Sequence, residues 1–301
     1  MAPEPTDRAR ALVRGAYDLH VHVAPDVPER RIDDVALAHR FAEVGLAGFG
    51  LKSHYTSTAE RAQIVSQAVP GVRAIGTITL NWAVGGMNPL AVEIAAREGA
   101  RIVWMPTFDS PSETAGRTEP KPGDNVPQWA KLQHELRQLG FSMAAVEVTD
   151  DTGALLPETR LVLETIARHG LVLATAHLGR DDTFAVVDGA LEAGVTAIVI
   201  THPEFPSQNF SIEDQVALAE RGCLLERCLS TPFSGKTTWE HVFEGIRATP
   251  GRNFFSSDFG NPAYPDVEDG LALWADRLLG ADFTEDEIHT MVVDGSRRLV
   301  S

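Results

Sequence analysis

The sequence predicts an α/β protein of the (β/α)8 TIM-barrel class, with one domain over residues 1–301 and an insertion after the fourth strand. Eight short apolar runs recur along the chain, each followed by a helical pattern. Their spacing suits one strand, one helix and two loops, since 32 residues separate His22 from His54 and 25 separate His177 from His202. Mostly apolar strands indicate a parallel sheet covered on both faces, so a closed barrel is favoured over a doubly wound sheet.

The predicted strands are rich in β-branched and aromatic residues and are bounded by turn residues. They occupy residues 17–23, 48–54, 73–81, 101–107, 171–177, 197–202, 223–229 and 253–258. Between them, residues 33–44 have apolar positions three and four apart and are followed by Gly45, which predicts a helix and its end. Capping-type starts at 57–60, 211–214 and 283–286, and Pro89 after Asn88, predict further helices.

One interval is too long for a single strand and helix, because 70 residues separate Thr107 from His177. Residues 109–127 are rich in Pro and Gly and predict a surface loop. A helix is predicted over 128–139, and a small hairpin over 141–155 around the turn at 150–153. The insertion, residues 110–156, is interpreted either as a lid over the barrel mouth or as an oligomer contact.

Composition limits the partners of the protein. The chain has 44% hydrophobic and 23% charged residues, as ordinary globular proteins do, and a formal net charge of −16. Such a charge disfavours nucleic acid or an anionic membrane as the main partner, so we expect a small-molecule substrate and allow for a homo-oligomer. The first fifteen residues contain no apolar signal segment, and Cys223 and Cys228 are poorly placed for a disulfide, so a cytoplasmic location is predicted.

The pair His20 and His22 is the strongest local signal for chemistry. Side chains two apart in a strand project to the same face, so both imidazoles can bind one ion. Neutral imidazole is a common ligand for zinc, iron and nickel. The pair therefore predicts a metal site on the first strand.

Further polar residues follow the same pattern, because they stand at the carboxyl ends of other predicted strands. In a barrel these ends share one face, which is where active sites lie. The residues are Lys52 and His54 on strand two, His177 on strand five, His202 on strand six and Asp258 on strand eight. Together with His20 and His22 they predict one site at the barrel mouth.

This layout resembles the amidohydrolase superfamily of metal-dependent barrels, in which a His-x-His pair, two single histidines and an aspartate hold the metal. Segments 286–291 and 295–299 also look like the closing helix of that superfamily. Residues 18–54, together with Thr201, His202 and Pro203, are most similar to an amidohydrolase-like family of unknown function. Many amidohydrolases carry a bridging carboxylated Lys or Glu at the end of strand four. Residues 104–109 here contain neither.

The resemblance implies that His20, His22, His54, His177, His202 and Asp258 bind a divalent metal. Zinc is favoured, with manganese, iron and nickel as alternatives, and one or two ions are expected. Such an ion lowers the pKa of water from 15.7 towards about 7. Asp258 would then be the catalytic base, while His202 would bind a second ion or polarise a carbonyl. Lys52 has three interpretations: a carboxylated bridge, a cation that binds substrate or an oxyanion, or a charge in solvent.

The predicted function is hydrolysis of an amide, cyclic amide, ester or lactone bond in a small molecule by a metal-activated water. A phosphoesterase or a non-oxidative decarboxylase on the same barrel is an alternative, and so is a metal-binding barrel without catalysis. Arg180 and Arg227 are candidates for binding a substrate carboxylate. Glu147, Glu204 and Glu226 are further carboxylates near strand ends.

Overall fold

Eight parallel strands form one sheet in the computed structural model, which describes residues 3–115, 128–141 and 144–300. Each strand neighbours the next one along the chain, and this order confirms the predicted (β/α)8 barrel. The strands are β1 (Tyr17–Val21), β2 (Gly48–Leu51), β3 (Arg73–Thr79), β4 (Ala100–Trp104), β5 (Val172–Ala174), β6 (Ile198–Thr201), β7 (Leu224–Cys228) and β8 (Asn253–Ser256).

Helices connect successive strands. They are α1 (Asp7–Leu12), α2 (Asp34–Val44), α3 (Ala59–Ala68), α4 (Pro89–Arg97), α5 (Pro111–Thr114), α6 (Gln128–Gln138), α7 (Pro157–His169), α8 (Arg180–Glu192), α9 (Ile212–Glu220), α10 (Ser230–Phe233), α11 (Trp239–Ala248), α12 (Gly270–Leu279), α13 (Glu285–His289) and α14 (Gly295–Val300). The Asp33 side chain caps α2 and Gly45 ends it at a φ of 80°, as predicted. Within the described ranges, every helix is too short or too polar to cross a membrane.

The barrel closes where the chain beyond β8 meets β1. The Asp258 N–H donates to the His20 carbonyl over 2.9 Å, and the His22 N–H donates to the Phe259 carbonyl over 2.8 Å. Gly260 follows with a φ of 135°, and a Cβ there would lie 1.7 Å from the His22 carbonyl oxygen. Only glycine fits at this position. Closure therefore brings residues of the first strand and residues that follow the last strand into direct contact.

The strands are shorter at their carboxyl ends than predicted. β1 ends at Val21, β2 at Leu51 and β5 at Ala174, whereas the predicted strands extend to residues 23, 54 and 177. The reason is that burial continues past the last ladder hydrogen bond, so the sequence pattern does not change where the strand ends. The polar residues of the predicted strand ends thus lie in or just before the loops that open the barrel mouth.

The region between β4 and β5 departs from its prediction in part. The helix predicted over 128–139 is α6, and α7 is the helix that leads into β5. The predicted loop over 109–127 contains the short helix α5, while residues 116–127 lie outside the described part. The predicted hairpin is wrong among the described residues, because only one antiparallel bridge forms there, between Thr149 and Leu155. Residues 142–143 of that hairpin are likewise outside the description.

Candidate active site

Three predicted ligands converge at the closure of the barrel. The Nε2 atoms of His20 and His22 lie 3.2 and 3.3 Å from the same oxygen, Oδ1 of Asp258. The three residues can offer ligand atoms that all lie within 4.8 Å of one another. His20 and His22 are 1% and 6% exposed, so little water competes for these groups. Two imidazole nitrogens and one carboxylate oxygen form a donor set that suits a divalent transition metal.

The backbone at the barrel mouth is strained in three places. Ala176, His202 and Asp258 have φ values of 51°, 27° and 54°, in the left-handed region that non-glycine residues seldom occupy. Such residues concentrate at functional sites, where the surrounding structure holds them. At Asp258 the hydrogen bond from its N–H to His20 is part of that support. His202 and Asp258 are themselves predicted site residues, and Ala176 directly precedes a third, His177.

Three more histidines extend the cluster. The His54 ring stacks on His22 at 4.8 Å between centroids, and the His177 and His202 rings meet edge to face at 4.7 Å. Nδ1 of His177 lies 2.7 Å from Oε1 of Glu113, which fixes the orientation of that ring. The buried Nδ1 of His54 has no hydrogen-bond partner among the described residues. An unpaired buried nitrogen is costly, and a metal ion would satisfy it.

His202 and Asp258 are also oriented by neighbouring side chains. Nδ1 of His202 lies 2.8 Å from Oε1 of Gln208, and Nε2 of Gln208 donates to the carbonyls of Ala176 and Thr201. Oδ2 of Asp258 accepts a 2.6 Å hydrogen bond from the Ser230 hydroxyl. Neither contact uses Nε2 of His202 or Oδ1 of Asp258, so these two atoms stay available to bind an ion or a substrate.

Protonation favours metal binding for most of the cluster. At His20, burial and Lys52 lower the pKa, but the carboxylates of Asp258 and Glu226 outweigh them and raise it. Burial, helped by Arg30, lowers the pKa of His22 to about 3. Burial also holds the pKa values of His54 and His202 well below the usual range, so these rings are neutral at pH 7 and keep a lone pair. Although burial opposes it, the contacts with His20 and His22 hold the pKa of Asp258 well below its usual value. Asp258 is therefore a carboxylate.

His20 is held by a residue that the sequence did not single out as its partner. Oε2 of Glu226 lies 3.3 Å from Nδ1 of His20, and Sγ of Cys228 lies 3.5 Å from the same nitrogen. Glu226 and Cys228 share one face of β7 because they are two residues apart. With Nδ1–H donated to Glu226, Nε2 of His20 presents its lone pair towards Asp258. Oε1 of Glu226 has no hydrogen-bond partner in the described part of the chain.

Lys52 lies inside the cluster. It is 3% exposed, so the interpretation of a charge in solvent is wrong. Its Nζ lies 3.0 Å from Nε2 of His20 and 4.0 Å from the centre of the Trp104 ring. Burial lowers the pKa of Lys52 to about 8. The cation–π contact with Trp104 supports the interpretation of Lys52 as a cation that binds substrate or an oxyanion.

The structure does not bring the two predicted substrate-binding arginines into the site. Arg180, at the start of α8, forms an exposed ion pair with Asp214 at 2.7 Å. Arg227 is fully buried on the opposite face of β7 from Glu226, where it pairs with Glu204. Both guanidinium groups are engaged away from the cavity. For Arg227 the reason is that alternate residues of a strand face opposite sides. This placement replaces the expectation that they bind a substrate carboxylate.

A cavity of about 380 Å³ opens over the histidine cluster. All predicted metal-binding and catalytic residues line it: His20, His22, Lys52, His54, His177, His202 and Asp258. The loops add lining residues that the sequence analysis did not identify, namely Arg30, Phe108, Phe205, Ser230, Lys236, Asn261 and Tyr264. The volume is that of a small-molecule site.

Several solved hydrolase structures are similar to this chain over almost its whole length. An amidohydrolase from Pseudomonas aeruginosa superposes with a TM-score of 0.60 and 11% identity over 97% of each chain. The probable dipeptidase PvdM from Pseudomonas aeruginosa gives 0.61 and 10%, with 97% of this chain and 96% of that one covered. Organophosphorus hydrolase from Deinococcus radiodurans gives 0.54 and 14%, over 97% and 94%. At these identities the likeness concerns the fold, and it confirms the resemblance to amidohydrolase barrels.

No curated protein matches the sequence. A family model described as a family of unknown function (DUF6282) matches residues 15–226. The match begins just before β1 and ends within β7, so it includes both histidines of the His-x-His pair. Because the match covers more than half of the 301 residues, the chain belongs to this family of unknown function, DUF6282.

Proposed function

We propose that the protein is a metal-dependent hydrolase that cleaves an amide, cyclic amide, ester or lactone bond in a small molecule. The observation that carries this proposal is the convergence of His20 and His22 on one oxygen of Asp258, at the base of a cavity of about 380 Å³. Two imidazoles with an ionised carboxylate are a catalytic rather than a purely structural donor set, because they leave coordination positions open.

His20, His22 and Asp258 would hold the principal ion, for which zinc is our first choice. The three neutral histidines beyond them, His54, His177 and His202, line the same cavity and are candidates for a second ion, but their donor atoms do not form a compact set as those of the first three residues do. A divalent ion supplies Lewis acidity, which lowers the pKa of water and polarises a substrate oxygen. The unpaired Nδ1 of His54 and the low pKa values of the histidines support this assignment.

The side chains around the donors have separate roles in the proposed reaction. Asp258 accepts a proton from the attacking water through Oδ1 and returns it to the leaving group, while Ser230 holds Oδ2. Lys52 is a buried cation that stabilises developing negative charge on the substrate oxygen. Phe108 and Phe205 exclude water from the reacting bond.

Elemental analysis and a substrate panel test the proposal. We expect about one to two equivalents of transition metal per chain, a higher melting temperature with added zinc or manganese, and turnover within a panel of amides, lactones, esters and phosphate esters. His22→Ala should lose both the metal and the activity, while His39→Ala, a change on α2 outside the cavity, should keep both. Absence of metal would refute the metalloenzyme. Bound metal without turnover of any panel compound would indicate a metal-binding barrel without catalysis. Turnover of phosphate esters alone would indicate a phosphoesterase.

A further inference from the structure

Two cationic side chains from different loops flank the histidine cluster. Arg30 follows β1, and its Nη2 lies 3.5 Å from Nδ1 of His22. Lys236 follows α10, and its Nζ lies 4.1 Å from the centre of the Phe205 ring. That ring is 4.7 Å from the ring of His202. One cation therefore stands beside the His22 side of the cluster and the other beside the His202 side.

The two cations are held differently. Asp26 accepts from Nε and Nη2 of Arg30 at 2.7 and 2.6 Å, which orients the guanidinium plane at the cavity. In contrast, no carboxylate among residues 3–115, 128–141 and 144–300 lies within ion-pair distance of Lys236. The chain has only four lysines, and two of them, Lys52 and Lys236, line this cavity.

The charge balance of the cavity is the opposite of the charge of the whole chain. The protein carries 42 acidic residues and a net charge of −16, so a lysine without an acidic partner is unexpected on its surface. The charged side chains that line the cavity, apart from the histidines, are the cations Lys52, Arg30 and Lys236 and the carboxylates Asp258 and Glu29. A bound divalent ion would add positive charge. An anion is the ligand that would balance this environment.

We propose that Lys236 binds an anionic oxygen group of the substrate, a carboxylate or a phosphate, so that the substrate is an organic anion. This inference rests on the proposed hydrolase function and specifies its substrate class. Lys236 would hold the charged end of the substrate, while the reacting bond lies over the histidines. Phe108 and Phe205, on the cavity wall, would contact the carbon skeleton between the two.

Turnover of matched substrates tests the inference. The probes are N-acyl amino acids with a free carboxylate, the same compounds capped as primary amides, and analogues that carry a phosphate instead. Wild type, Lys236→Met, Lys236→Arg and Lys131→Met are compared in the metal-loaded state. Lys131 is an exposed lysine of α6 outside the cavity and provides the matched control.

We expect Lys236→Met to lower kcat/KM for the anionic members by about tenfold to a hundredfold, mainly through KM, because one charge-assisted contact is lost. The capped amides should be unaffected, Lys236→Arg should retain the preference, and Lys131→Met should behave as wild type. If the loss of kcat/KM in Lys236→Met is larger for the carboxylate probes, the group recognised is a carboxylate. If it is larger for the phosphate probes, the group is a phosphate. Equal effects on anionic and capped members would overturn the inference.

A binding measurement separates this inference from the hydrolase proposal. Titration calorimetry of succinate and of inorganic phosphate into the metal-loaded protein requires no turnover. An affinity about tenfold weaker in Lys236→Met than in Lys131→Met would support the anion site even if no panel compound were hydrolysed. Equal affinities in the two variants would refute the anion site while leaving hydrolysis intact.

Discussion

Glu226 determines which nitrogen of His20 is available. Its Oε2 lies 3.3 Å from Nδ1, so the proton of the neutral ring belongs on Nδ1, and Nε2 faces Asp258. Carboxylates in this position fix the tautomer of a metal-binding histidine and raise its basicity. Glu226 is itself fully buried, so its orientation is set by β7.

Replacing Glu226 should therefore weaken metal binding without removing a ligand. We expect Glu226→Ala to lower zinc affinity about tenfold to a hundredfold, and Glu226→Gln to lower it less, because an amide oxygen still accepts from Nδ1–H. Competition with a chelating dye measures both. Glu147→Gln, at an exposed glutamate, is the control. An unchanged affinity in Glu226→Ala would contradict this role.

The sequence predicted the ligand residues better than it predicted the residues around them. The alternation within a strand places His20 and His22 on one face, and that rule needs no knowledge of the rest of the fold. The same rule places Glu226 and Arg227 on opposite faces of β7, but it does not say which face is inside. Arg30 and Lys236 lie in irregular loops, where no periodicity indicates the direction of a side chain.

At the scale of elements, the loop after β6 and strand β7 are joined by a buried ion pair. Arg227 pairs with Glu204 and also donates to Gln215 and Asn253 over 2.8 Å. Neither charge is exposed, so each depends on the other for compensation. A buried pair of this kind makes the loss of one partner far more costly than the loss of both.

Glu204→Ala is therefore expected to lower the free energy of unfolding by about 3–5 kcal/mol, because it leaves the Arg227 charge buried and unpaired. Glu204→Leu combined with Arg227→Met should be less destabilising than this single change. Urea denaturation measures both. The control is Asp188→Ala, which removes the surface partner of Arg221 and should cost about 1 kcal/mol or less. A free energy of unfolding for Glu204→Ala as high as that of Asp188→Ala would contradict this expectation.

The strands were predicted in number and order, while their ends were not. Apolar runs and helix caps are local signals, and they correctly indicated eight strands and helices such as α2 and α6. The ends of β1, β2 and β5 depend on where ladder hydrogen bonds stop, which is a property of neighbouring strands. Single-residue strain, as at His202, has no sequence signal at all.

For the whole molecule, closure of the barrel and formation of the proposed metal site use the same residues. Asp258 donates its N–H to the His20 carbonyl while its carboxylate faces the ring of the same residue. Removing the metal should therefore loosen the seam between β1 and β8 more than the rest of the sheet. The assignment of residues 1–301 to one domain, the homo-oligomer and the cytoplasmic location stay predictions.

Hydrogen exchange tests this expectation. After chelation, the amides of His22 and Asp258 should exchange faster, while those of β4 and β6 should change little, because they lie away from the closure. Mass spectrometry of the metal-loaded and metal-free protein measures the difference, and His22→Ala should resemble the metal-free state. Equally faster amide exchange in all eight strands after chelation would contradict a loosening that is confined to the seam between β1 and β8.

The seam also determines when during synthesis the site can exist. His20 and His22 leave the ribosome early, and Asp258 is made 238 residues later. Until β8 pairs with β1, the nascent chain offers an ion a histidine pair without the carboxylate that completes the set. If the proposed site is correct, the barrel acquires its full affinity for metal only when its last strand is in place, and occupancy of the site then reports a finished fold.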